Sequence, residues 1–127
     1  MLQVELVSPE KILFSGEAES VIARTTGGDI AFLPGHVPFI GNLDVHPVRI
    51  LLPGGVEEIV AVHEGFVECS NDRVTILSDV AELQSQIDVA RAEAAAQRAE
   101  ANVEKLDQIT VEAALRRAHV RLEVARA

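Results

Sequence analysis

Four arginines in the last third of the chain, Arg91, Arg98, Arg117 and Arg121, are the side chains best placed to do chemistry. Arg91 and Arg98 lie seven apart and Asp88 three before Arg91, so on a helix the three share a face. Arg117 and Arg121 lie four apart, each immediately before an apolar position, Ala118 or Leu122. If the two segments fold back on each other, both pairs flank one groove. Crowded guanidinium groups repel unless an anion sits between them, and their planar fork suits phosphate bidentately. The same arginines could instead pair along the helices with Glu82, Asp88, Glu100 or Glu112, and spacing leaves both readings open.

Catalysis finds little support. There is no phosphate-cradling glycine loop with Lys and Ser/Thr, and the only lysines are Lys11 and Lys105. No G-x-S-x-G elbow occurs. His36, His46, His63 and His119 have neither the spacing of metal ligands nor a cysteine pair beside them, so each is read as structural or surface. The single cysteine, Cys69, is read as a half-buried thiol without a disulfide partner. The expectation is a binding or regulatory protein, not an enzyme.

The elements that must hold the arginines follow from a change in composition. Every Gly, Pro and Phe of the 127 residues lies before Ser78, and alanine dominates after it. Leu2, Val4 and Leu6 alternate with Gln3 and Glu5, the period of a half-buried strand. Further short apolar runs follow up to Val74–Leu77, separated by Ser15-Gly16, Gly27-Gly28, Pro34-Gly35, Pro53-Gly54-Gly55 and Ser70-Asn71-Asp72. That pattern predicts an all-β sandwich or barrel over residues 1–82. Past Glu82 the step becomes helical. Ala92, Ala96, Ala99, Val103 and Leu106 form one stripe, and Val111, Leu115, Ala118, Leu122 and Ala125 a second. Residues 83–127 are therefore expected to form an antiparallel two-helix hairpin, with helices at about 87–105 and 108–125 and Asp107 or Thr110 as the second N-cap. The fold class is mainly β plus α. Because half the seam is alanine, the hairpin is expected to close weakly and to be openable.

Net charge is −9, which argues against nucleic acid as a partner. Residues 1–80 carry 12 acids against 4 bases, while residues 81–127 carry 8 against 7, so the tail is basic relative to the body. The start, Met1-Leu2-Gln3-Val4-Glu5-Leu6, has no basic leader pattern, and no apolar run reaches the ~18 residues of a membrane span. A soluble cytoplasmic chain is expected.

The segment Gly28-Asp29-Ile30-Ala31-Phe32-Leu33-Pro34-Gly35-His36-Val37-Pro38, the opening Val4-Glu5-Leu6-Val7-Ser8-Pro9 and Gly65-Phe66 complete the pattern. In this order, with the two-helix tail, the chain resembles epsilon subunits of bacterial F-type ATP synthases over essentially its full length. The resemblance implies a sandwich of about ten strands and a helical hairpin. It also implies a non-catalytic rotor subunit of the central stalk of a proton-translocating enzyme. Its partners would be the gamma subunit, the c-ring and the alpha/beta catalytic hexamer. It would lie at the cytoplasmic face of the plasma membrane, touching the membrane only through the c-ring, and would be a monomer when isolated. Asp29 and His36 would face the c-ring. Arg116, Arg117, Arg121 and Arg126 would meet the beta subunits when the helices extend and inhibit hydrolysis.

Ile87-Asp88-Val89-Ala90-Arg91-Ala92 matches the motif Ile/Leu-Asp-x-x-Arg-Ala, through which some such hairpins bind ATP. The implied ATP site comprises Glu82, Ile87, Asp88, Arg91, Ala92, Arg98, Arg117 and Arg121. ATP would be a regulatory ligand, bound without Mg²⁺ or any metal. The alternatives are a free-standing ATP sensor or an adaptor module.

Overall fold

A computed structural model describes residues 1–101 and 108–127. Ten strands come first: β1 Leu2–Val7, β2 Ile12–Ala18, β3 Ser20–Thr25, β4 Gly28–Phe32, β5 Phe39–Leu43, β6 His46–Leu51, β7 Glu57–Val62, β8 Gly65–Ser70, β9 Arg73–Leu77 and β10 Ala81–Leu83. A single 3₁₀ turn, Gln84–Gln86, leads into α1 Val89–Ala101, and α2 Gln108–Ala125 closes the chain. The strands pair in the order β10-β7-β6-β3-β5-β8-β9-β1-β2, with β4 attached to β3. Every pairing is antiparallel except β1 with β9. The outermost strands of that order, β10 and β2, also touch, so the sheet folds over on itself. This is the β-sandwich plus helical hairpin that the turn spacing predicts.

The alternation in β1 puts Leu2, Val4 and Leu6 into a core shared with Val21, Phe32, Ile50, Val67, Val74 and Ile76. Asn71 and Asp72 have φ of 52° and 58°, the left-handed pair that a two-residue hairpin between Ser70 and Arg73 requires. The Asp72 carboxylate then accepts the Gly35 N–H at 2.7 Å, and its carbonyl accepts the Gln3 N–H at 2.8 Å. One turn thus ties the Leu33–Pro38 loop to the first strand. Gly65 is fixed by proximity: a Cβ there would lie 2.4 Å from the Leu77 carbonyl oxygen. Cys69 is fully buried rather than half-buried, because β8 sends it inward beside Val67, and burial pushes its thiol pKa up.

Strand β7 departs from alternation. Ile59, Val60, Ala61 and Val62 are all buried. Val60 and Val62 face the sandwich core, while Ile59 and Ala61 face outward and are covered by Val120 and Val124 of α2. The hairpin is therefore not closed only on itself. Four residues apart, Val120 and Val124 form a second apolar line on α2, and Ile87 and Val45 pack at its edge. On the hairpin's own seam, Ala92, Ala96 and Ala99 are buried in α1, as are Val111 and Ala118 in α2. Leu115, Leu122 and Ala125 are half-buried. Val103, Leu106, Asp107 and the expected end of the first helix near Lys105 lie outside the described residues. Thr110 belongs to the first turn of α2. The C-terminal end is fastened by Arg126 Nη2 to Glu93 Oε1 at 2.7 Å and by Gln84 Nε2 to the Ala127 carbonyl at 2.9 Å. Among the described residues no helix is long and apolar enough to cross a membrane.

Candidate functional site

Where β10 hands over to α1, and α2 returns beside them, the chain encloses a pocket of about 390 Å³. Its charged lining is Glu82, Asp88, Arg91, Arg98 and Arg121, three cations against two carboxylates. On a chain of net charge −9 this is an unusual local surplus of positive charge. Val80, Gln86, Ala92 and Ala95 complete the wall. Ala92 of the weak seam thus does a second thing: with Ala95, its small side chain leaves the volume beside α1 open.

Local structure sets each polar group. Asp88 precedes α1, and its Oδ1 accepts the Arg91 backbone N–H at 3.0 Å, so it is the helix N-cap. The carboxylate therefore aims the helix start, and with it Arg91, into the pocket. Gln86 Oε1 accepts the Leu83 N–H at 3.0 Å and stiffens the 3₁₀ turn. Glu82 holds α2 in place: its Oε1 accepts Arg121 Nε–H at 2.5 Å across 39 residues of sequence. With Nε engaged, the terminal Nη groups of Arg121 are the donors left for another acceptor.

The same Glu82 oxygen lies 3.1 Å from His63 Nε2. His63 is only 8% exposed, and its backbone N–H is held by the Val80 carbonyl at 3.0 Å. Protonated on Nε2, the neutral ring donates to Glu82 and leaves Nδ1 buried with no partner among the described residues. Burial, and next the charge of Arg121, push the His63 pKa below the ordinary imidazole value, while Glu82 pulls it upward.

Of the residues implied for ATP, the pocket brings together Glu82, Asp88, Arg91, Ala92, Arg98 and Arg121. Ile87 instead packs with Ile59, Ala61, Val120 and Val124, and exposed Arg117 is not part of the wall. The other implied residues lie elsewhere. Arg116 lines a separate cleft of about 740 Å³ with Arg24, His46, His119 and Glu123. Arg126 pairs with Glu93. Asp29 sits in the β3–β4 hairpin, where Arg24 Nε at 2.7 Å holds its carboxyl below the usual range. His36 lies in the next loop, its ring edge-on to Phe32 at a centroid distance of 5.0 Å. Leu33 and Val37 beside it are exposed.

Sequence spacing passes over His63, Gln86, Val80 and Ala95. Gln86 and Val80 carry no periodic signal, and Ala95 lies just off the helical stripe. His63 had one signal, its place directly after the run Ile59–Val62, which is too continuous for a strand with a wet face.

Comparison with known proteins places this geometry in context. Residues 1–84 match the family described as ATP synthase, Delta/Epsilon chain, beta-sandwich domain, and residues 85–126 the corresponding long alpha-helix domain. The ATP synthase epsilon chain of Streptomyces griseus is 45% identical over 121 residues, covering 95% of this chain and 92% of that one. The epsilon chain of Brevibacillus brevis is 48% identical over 99 residues, covering 78% of this chain and 75% of that one. Among solved structures, a chain in the Euglena gracilis mitochondrial ATP synthase (OSCP/F1/c-ring) superposes with a TM-score of 0.85 at 22% identity. That match covers 99% of this chain and 81% of the other, and it is a likeness of fold.

Proposed function

The chain belongs to the ATP synthase epsilon-chain family, a subunit of the F-type central stalk, and from that premise we propose that its hairpin is an ATP-responsive brake on hydrolysis. The sandwich binds gamma and rests on the c-ring. The helices, when released from the sandwich, reach the alpha/beta hexamer and restrain it from hydrolysing ATP. The chain itself turns over nothing. It sits peripherally at the cytoplasmic face, with the c-ring as its only link to the membrane.

One observation carries this reading: Arg91 and Arg98 from α1 and Arg121 from α2 line one pocket. A polyphosphate there would bridge both helices and offset the mutual repulsion of three guanidinium groups. Glu82 fixes Arg121 from one side so that its Nη donors face the ligand, and Asp88 fixes the helix that carries Arg91. Ligand binding would therefore favour the docked hairpin and disfavour the extended one. Arg117, outside the wall, joins the site only by a side-chain movement.

Calorimetric titration of the full chain with ATP, with and without Mg²⁺, tests this. A hydrogen bond to a charged group contributes about 1.5–3 kcal/mol, so Arg91→Ala and Arg121→Ala should each weaken binding about tenfold or more. Binding undiminished in both variants would move the site elsewhere. No binding at millimolar ATP would leave the arginines as a docking surface for the catalytic hexamer.

A further inference from the structure

We propose that the docking of α2 on the sandwich is proton-sensitive through His63, so that acidification below neutrality releases the helix. The inference concerns the docking contact itself and holds with or without a nucleotide. Its basis is the arrangement of three groups. His63, the residue after β7, is buried and shares its carboxylate partner with α2. Glu82 of β10 offers one oxygen to both His63 Nε2, at 3.1 Å, and Arg121 Nε of α2. Among the described residues His63 Nδ1 is buried without a partner.

The charged groups facing the ring are Glu82 from β10 and Arg121 and Arg117 from α2. The 3₁₀ turn has no titratable side chain, only Gln84, Ser85 and Gln86. Glu64 and Asp79 share with His63 the lining of a further pocket of about 550 Å³, but neither is among the charges that shift the ring. From α1, Arg91 and Arg98 share the Glu82 pocket and add positive charge to the neighbourhood. A proton on docked His63 would thus be a buried cation beside two arginines, with a single carboxylate already committed to one of them. Its second N–H, on Nδ1, would have nothing to donate to.

Lifting α2 reverses each of these conditions. Arg121 and Arg117 leave, Glu82 becomes available to the imidazolium alone, and water reaches Nδ1. Protons therefore bind the undocked form more tightly than the docked one. The sign follows from the lowered docked pKa. Docking is at full strength above the ordinary His value of about 6.5 and weakens as pH falls below it, until the docked pKa is reached. Between about pH 7.5 and about pH 5.5, one such group shifts the docked-to-undocked ratio by at most about tenfold. His46 and His119 also lie at the α2 junction, in the cleft with Arg24, Asp44, Arg116 and Glu123, and serve as internal controls.

The test is hydrogen exchange of the full chain at those two pH values, corrected for intrinsic chemical exchange, with an NMR titration of the four imidazoles. α2 amides should open up to about tenfold more often at the lower pH, while core-strand amides keep their protection. His63→Gln should flatten the α2 response, and His119→Gln should leave it. If His63→Gln misfolds, His63→Ser is read in the same way. The wild-type titration needs no variant: His63 should titrate below the ordinary imidazole value of about 6.5. A His63 pKa at or above the ordinary imidazole value of about 6.5, an α2 opening that ignores pH, or the same pH slope without His63 would each overturn the proposal.

Discussion

The two faces of β7 hold the molecule together on different terms. Inward, Val60 and Val62 join a buried core drawn from nine of the ten strands, β1 to β9, made mostly of Leu, Ile and Val around Phe32. Outward, Ile59 and Ala61 cluster with Val120 and Val124, with Ile87 and Val45 at the edge. The hairpin's other contact is an alanine seam. Burial contributes about 0.8 kcal/mol per methylene, so the few outer contacts and the alanine seam hold less than the inner core. One strand thus belongs to a permanent body and, on its other side, forms the seat of a removable part.

The sharpest way to break this contrast is to cut each side once. Phe32→Ala should cost about 3–5 kcal/mol of global stability, read as a fall in the denaturant midpoint with sandwich and hairpin lost together. Val124→Ala removes about two methylene equivalents from the outer face. It should cost about 1.5–2 kcal/mol of docking only, seen as faster exchange in α2 with an unchanged sandwich transition. If Val124→Ala lowers the sandwich midpoint as much as Phe32→Ala does, the two faces are one cooperative unit and the contrast is wrong. The smallest effect belongs to the exposed Arg126–Glu93 pair. Arg126→Gln should change docking by less than about 1 kcal/mol, and the difference should fade in high salt. A larger loss would make ionic fastening, not apolar contact, the main hold on the helices.

Much of the body could be read from residue order. Leu2, Val4 and Leu6 alternate because one face of β1 is wet, and Asn71-Asp72 announces a hairpin that forms as the turn chemistry requires. β10 escaped because three half-buried residues at an edge carry neither alternation nor a turn signal, and they straddle the boundary expected at residue 82. The docking face was hidden for a different reason. The run Ile59–Val62 shows that β7 is covered on both sides, but nothing local says by what; Val120 and Val124 are sixty residues away. In the site, helical spacing puts Arg91 and Arg98 on the face of α1 that they occupy. It could not choose between Arg117 and Arg121, since which of them meets Glu82 depends on how α2 is rolled against β7. His63 was invisible as a partner of Glu82 because their contact depends on β10, an element with no signature of its own.

The burial of Cys69 has a practical consequence. Its thiol is sealed in the core and held from ionising by its surroundings, first by burial and then by the nearby charge of Asp72. Thiolate is the form that reacts with maleimides and methanethiosulfonates, so the folded native chain should stay silent to both. A dye or spin label can therefore be attached at a cysteine introduced on either helix with no need to replace Cys69 first, and reagent uptake by the unmodified chain becomes a direct alarm for unfolding of the sandwich.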